Sequence, residues 1–171
     1  TSEYLSNIFT VSFSTSDLAL VRGNPEDRRA WLDYAVSSLY PAHADRISKY
    51  NKIRTQKNNF LKTLGGNINV DKTMLEVWNE QLAVTGSNII LLRLNFLKEL
   101  LKHAGQKHSQ ISLKETLSIF YNSSIVGDVN VEDVSEFPSA KIAELFYQRL
   151  DEKCNEEIIR AQSVVGPHID E

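Results

Sequence analysis

The chain has 171 residues, 42% hydrophobic and 24% charged, with a formal charge of −3 at pH 7, which describes one ordinary globular domain with enough apolar material for a core. Seven glycines and four prolines exclude low-complexity and collagen-like chains, and one cysteine excludes an internal disulfide or a cysteine-based zinc site. The most apolar stretch, Ile89 to Leu101, is interrupted by Arg93, Asn95, Lys98 and Glu99 and falls short of the roughly 18 residues of a membrane span; with no basic-then-apolar leader pattern, a cytoplasmic protein without membrane contact is expected.

Ile8 to Ser14 is β-branched and aromatic and reads as a strand. Asn24-Pro25-Glu26-Asp27 starts a helix: Asn24 can cap, Pro25 suits the first helical position, and the acids complement the positive end of the dipole. That helix is expected to run to Tyr40, with Leu32, Val36 and Leu39 as its apolar stripe. Pro41 opens a second helix to Leu64 with Ile47, Tyr50, Ile53, Phe60, Leu61 and Leu64 inward, stopped by Gly65-Gly66. Asp71 caps the longest helix, Lys72 to Ala104, ended by Gly105. Its Leu75, Trp78, Leu82, Ile89, Phe96 and Leu100 recur at near-heptad spacing and ask for the preceding helix as antiparallel partner. Leu113 to Tyr121 reads as a strand and Asp128 to Glu136 as a loop. A last helix from Ser139 to Gln162 turns Ile142, Leu145, Phe146, Leu150, Cys154 and Ile158 inward. Cys154 is expected to be a buried structural thiol. The fold class is mainly α: three to four long antiparallel helices with two short strands.

Charge is unevenly spread. Arg46 to Lys62 holds six basic residues (Arg46, Lys49, Lys52, Arg54, Lys57, Lys62) and no acid, whereas Asp128 to Glu157 holds nine acids against Lys141, Arg149 and Lys153. Such separation speaks of partners or of two solvated faces that attract each other. Arg22, Arg28 and Arg29 flank the turn at Gly23-Asn24-Pro25. They suit phosphate binding or pairing with Asp17, Asp27 or Asp33, and the sequence leaves both open. Gly66 to Thr73 nearly matches G-x-x-x-x-G-K-[ST], but Asp71 stands at the second glycine, where a carboxylate repels phosphate and a Cβ blocks backbone approach. That stretch reads as a helix connection. His43, His103, His108 and His168 lack metal-ligand spacing, so no metal site is expected. No side chain stands in a nucleophile setting, so no catalytic residue is assigned.

The segment Phe13 to Asp33 resembles the RecF family of DNA replication and repair proteins, whose pattern here is F-S-P-x-D-L-x-L-V-[KR]-G-x-P-x-x-R-R-x-[FW]-L-D; Thr15 replaces the proline. Further matches follow in order: Tyr50, Gln56, Lys57, Asn58 and Leu61; Trp78, Gln81, Leu82, Gly86 and Arg93; and Arg160, Ser163, Gly166, Pro167, His168 and Asp170, with Ile169 where the family has arginine. The resemblance implies an ATPase with a shortened helical arm inserted into its nucleotide-binding head. Such a protein dimerises on ATP, uses ATP and Mg, binds DNA near gaps, and works with RecO and RecR to load RecA. It also implies that the phosphate-binding loop precedes this segment and the signature motif follows it, so that this piece holds no cofactor and does not hydrolyse ATP.

On that resemblance, residues 1–23 form a strand and loop at the edge of the ATPase head. Residues 24–163 form the arm, with a short strand near 113–121, and residues 164–171 return to the head, to which the two strands belong. Asp17, Gly23, Pro25, Asp33, Gly166, Pro167, His168 and Asp170 are the family motif nearest that head. The expected DNA-binding residues are Arg22, Arg28, Arg29, Arg46, Lys49, Lys52, Arg54, Lys57 and Lys62, reading backbone phosphates without base specificity. Arg54 and Lys57 lie toward the helix seam. The alternative is a protein–protein interaction module whose basic helix meets an acidic surface, with DNA bound elsewhere.

Overall fold

A computed structural model describes residues 14–171. The helix start at Asn24-Pro25 forms as expected: helix α2 (Pro25–Leu39) follows a four-residue helix α1 (Ala19–Arg22), and Pro25 occupies its first turn. The Asn24 side chain makes no capping bond; its carbonyl instead accepts from the amides of Asp27 and Arg28. Helix α3 (Ala42–Thr63) stops at Gly65 and Gly66, both at positive φ. Helix α4 (Thr73–Ile111) opens on Asp71, whose carboxylate accepts from the amide and hydroxyl of Thr73.

Helix α4 is 39 residues long, about 58 Å, and does not end at Gly105. One glycine costs a helix only about 1 kcal/mol relative to alanine. The chain leaves the helix at Ser112, which is extended. The seam of α4 has more than one partner. α3 runs antiparallel along its first half, where Phe60 meets Trp78 and Tyr50 packs near Gly86. Further on, α2 takes over, with Leu32 and Val36 against Ile90, Leu94 and Leu97, and Trp31 edge-on to Phe96.

The expected last helix is two helices, α5 (Ser139–Glu152) and α6 (Cys154–Arg160), broken at Lys153. Ile142, Phe146, Leu150, Cys154 and Ile158 are spaced by four, which drifts about 40° per step from one helical line. The break at Lys153 re-aims the stripe, and all five are buried. Cys154 is a buried free thiol, as expected. α5 also runs antiparallel to α4, with Phe146 on Gly86 and Ser139 on Asn88.

The strands differ from expectation. Residues 113–119 are not a strand, and the 128–136 segment is not a loop. Strand β1 (Phe120–Ser123) pairs antiparallel with β2 (Gly127–Asn130), Tyr121 opposite Val129, and a 3-10 turn follows at Val131–Glu136. Gly127, at φ 76, permits the tight return. Tyr121, Val129, Val131 and Val134 face the core, so these strands complete each other. The strand expected over residues 8–14 lies outside the described residues except for Ser14, which is in no strand.

Two glycines inside α4 separate packing from propensity. A Cβ on Gly86 would collide with the Phe146 ring, whereas nothing lies within 4 Å of one on Gly105. Gly86→Ala is expected to destabilise by about 1–3 kcal/mol through overpacking, and Gly105→Ala to stabilise by up to about 1 kcal/mol, both read by urea unfolding.

Candidate nucleic-acid interface and its buried supports

On α3, the positions in line with Tyr50, Ile53 and Leu61 face the core, and the rest meet solvent. Lys49, Lys52 and Lys62 are exposed and Arg46 is half-buried. None of the four pairs with a carboxylate among the described residues. Arg22, exposed at the end of α1, is likewise unpaired among them. The acids of α5 and α6 do not reach this stripe. Glu152 takes Arg149, and Glu156 takes Lys153 and Arg160.

Lys57 is a correction to the expected surface. It falls on the inward line of α3 and is fully buried. Its ammonium donates to Glu157 at 2.5 Å and to Asn79 at 2.7 Å. The other Glu157 oxygen accepts from the Val164 amide. Burial pushes the Lys57 amine down and the Glu157 carboxyl up, and each charge partly restores the other. Arg28 and Arg29 are also tied inward. Arg28 pairs with Glu171 and donates to the Gly23 carbonyl, and Arg29 donates to the Asp170 carbonyl at 3.0 Å. Neither pairs with Asp17, Asp27 or Asp33; Asp17 accepts from the Ser14 amide instead.

Two residues of the family motif, Asp33 and Pro167, meet at Arg93, which is 3% exposed. Its guanidinium grips Asp33 through two 2.8 Å bonds and donates to Tyr121 and to the Pro167 carbonyl. His43, also fully buried, shares one Asp33 oxygen. Burial works against the Asp33 carboxylate, but the bonds from His43 and Arg93 outweigh it and hold its carboxyl below the usual range. Asp170 accepts from Tyr121, Ser123 and Ser124. Gly166 sits at φ 134, where a Cβ would collide with the Tyr50 hydroxyl. That hydroxyl meets His168 Nδ1 at 3.0 Å, and His168 Nε2 faces the Ser163 carbonyl. Those partners assign the proton to Nε2 and leave Nδ1 as acceptor. Burial and the Arg54 charge push His168 down to about 4.

Sequence reasoning flagged Asp33 and Arg93 as motif members without joining them. The available signal was Arg93 itself, a cation set directly between Leu92 and Leu94 in the most apolar run of the chain. Glu157 and Asn79 gave no such signal, since each sits among ordinary polar neighbours.

This mainly helical body with one hairpin, laced by buried ion pairs, has counterparts among solved structures. Two solved structures share it across 99% of this chain and 44% and 43% of theirs. They are described as the recombination mediator protein RecF in the RecFOR pathway, with ATPrS and with ATP. Their TM-scores are 0.86 and 0.84, each at 27% identity. By sequence, the chain is 36% identical over 172 residues to the DNA replication and repair protein RecF of Bacillus mycoides (strain KBAB4), and equally to that of Bacillus thuringiensis (strain Al Hakam). It spans 44% of the length of these curated relatives. No family model matches. The motif resemblance to RecF is therefore found again over the whole chain, in sequence and in fold.

Among the buried groups, Lys57→Met alone is expected to cost about 3–5 kcal/mol, because it strands the Glu157 charge, and Lys57→Met with Glu157→Leu to recover most of that; urea unfolding of the three chains checks it. His168 is neutral when folded below the ordinary midpoint of 6.5, so the unfolded chain binds a proton first as pH falls. Stability is expected to drop between about pH 6.5 and 4, by on the order of 3 kcal/mol from this residue. His168→Gln should flatten that part of the profile in a pH series of denaturation midpoints.

Proposed function

We propose that the chain is the arm of a RecF-type repair protein and offers DNA a sequence-independent basic surface. In this reading residues 24–163 are the arm, and residues 1–23 and 164–171 adjoin the ATPase head. ATP and Mg are handled by that head, and the whole protein acts with RecO and RecR to load RecA at gapped DNA. The observation that carries the reading is the outer stripe of exposed Lys49, Lys52 and Lys62 on α3, with the half-buried Arg46 at its edge, none of the four neutralised by any described acid. Arg22, at the end of α1, is a further exposed cation unpaired among the described residues. Cations so placed displace condensed counterions from phosphates and give affinity without base readout. Lys57 has no part in it, and Arg28 and Arg29 serve chiefly to fasten the C-terminal segment.

Fluorescence anisotropy with a gapped duplex at several salt concentrations tests this. Binding should weaken linearly in log–log form, and each phosphate that a variant no longer neutralises should flatten the slope by about 0.9. Changing Arg46, Lys49, Lys52 and Lys62 together to Gln should lower affinity at least tenfold at low salt. Unchanged affinity would reject this surface. Salt-dependent capture of an acidic RecR or RecO surface, with no DNA binding, would favour an interaction module instead.

A further inference from the structure

Arg54 is only half-buried, but its Nε is shielded from solvent and meets no acceptor among the described residues. It opens on a cleft of about 300 Å³ between α2, α3 and the C-terminal segment, lined also by Arg29, Asn51, Tyr50, His168 and Glu26. The other two charges there, Asp33 and Arg93, are spent on each other. That leaves two guanidinium groups facing one space, Arg54 and Arg29, the latter with one nitrogen donating to the Asp170 carbonyl and the rest of its fork without a partner among the described residues, against a single carboxylate, Glu26, which pairs with neither. A guanidinium donor held away from water without an acceptor loses the hydrogen bond that water would give it. His168 adds no charge, because burial and Arg54 hold it neutral. Its ring and the Tyr50 hydroxyl bond each other and form a neutral wall.

We infer that this cleft binds a single phosphate group, held between Arg54 and Arg29 with the Asn51 amide beside them. Guanidinium forks match phosphate oxygens in pairs, and two of them from different helices suit a doubly charged monoester. The volume admits the phosphate together with part of the group that carries it. Such a pocket differs from the outer stripe of α3, which spreads single charges along solvent. It stands whether or not that stripe binds DNA.

The probe is inorganic phosphate, added to the chain against sodium chloride of equal ionic strength. The readout is the Arg54 Nε–H resonance, assigned by its loss in Arg54→Lys. Saturable movement with a low-millimolar midpoint or below is expected, weakened at least tenfold in Arg29→Gln. In Arg54→Gln, the His168 ring resonances should no longer respond. Lys52→Gln should leave the phosphate midpoint unchanged while lowering affinity for duplex DNA, which separates this site from the outer stripe. Competition by a 5′-phosphorylated duplex but not a hydroxyl-ended one would identify a DNA end as the carrier. Competition by both would identify the internal backbone, and by neither a free phosphate compound. Movement that chloride reproduces, saturation that survives both arginine variants, or equal saturation by acetate would overturn the proposal.

Discussion

From the middle of α4, the Arg93 guanidinium reaches Asp33 on α2, Tyr121 on β1 and the Pro167 carbonyl near the C-terminus. Segments far apart in sequence are closed onto one long helix by one side chain. A bare cation so deep would be intolerable. The two-pronged Asp33 contact and the two neutral acceptors make it tolerable, because they replace the hydrogen bonds that water would give. Asp170 repeats the arrangement from the other side, gathering Tyr121, Ser123 and Ser124. The hairpin is short and two-stranded, too small to be stable alone. It is held because its Tyr121 belongs to both arrangements.

This interior explains why the cations divide into two populations. Those on the inward lines of α3 and α4 are drawn into pairs and become structure, as Lys57 and Arg93 do. Those on the outward lines of α3 keep their charge for whatever approaches. Arg54 belongs to neither group, with its stem among core residues and its head at a cleft. Of the acids of α5 and α6, Glu152 and Glu156 are taken by cations three or four residues away and Glu157 by the buried Lys57, so none of these three neutralises the outer stripe.

Much of the helical layout was legible, because Pro25, Pro41 and Gly65-Gly66 punctuate the chain by mechanisms local to each residue. The errors lie where tertiary packing decides. Gly105 gave a stop signal weaker than the propensity of its neighbours. The alternation of residues 113–119 mimicked a strand that has no partner, while the true pairing began at Phe120. The break at Lys153 was invisible because the apolar spacing of four runs through it. Among site residues, charge pattern alone cannot separate a surface lysine from Lys57; its alignment with Tyr50, Ile53 and Leu61 could. The meeting of Asp33 with Arg93, 60 positions apart, was beyond any local rule.

The Lys57–Glu157–Asn79 cluster has a geometric consequence for how the three helices settle. Apolar seams accept neighbours displaced by a whole turn with little loss, since one leucine substitutes for another. A cluster with one ammonium, one carboxylate and one amide has a single matching alignment. Sliding α3 along α4 by one turn would leave the ammonium opposite hydrocarbon, and α6 would face an empty place for its acid. The cluster thus works as a key that fits one notch, selecting among near-equal packings that the hydrophobic residues alone would leave in competition.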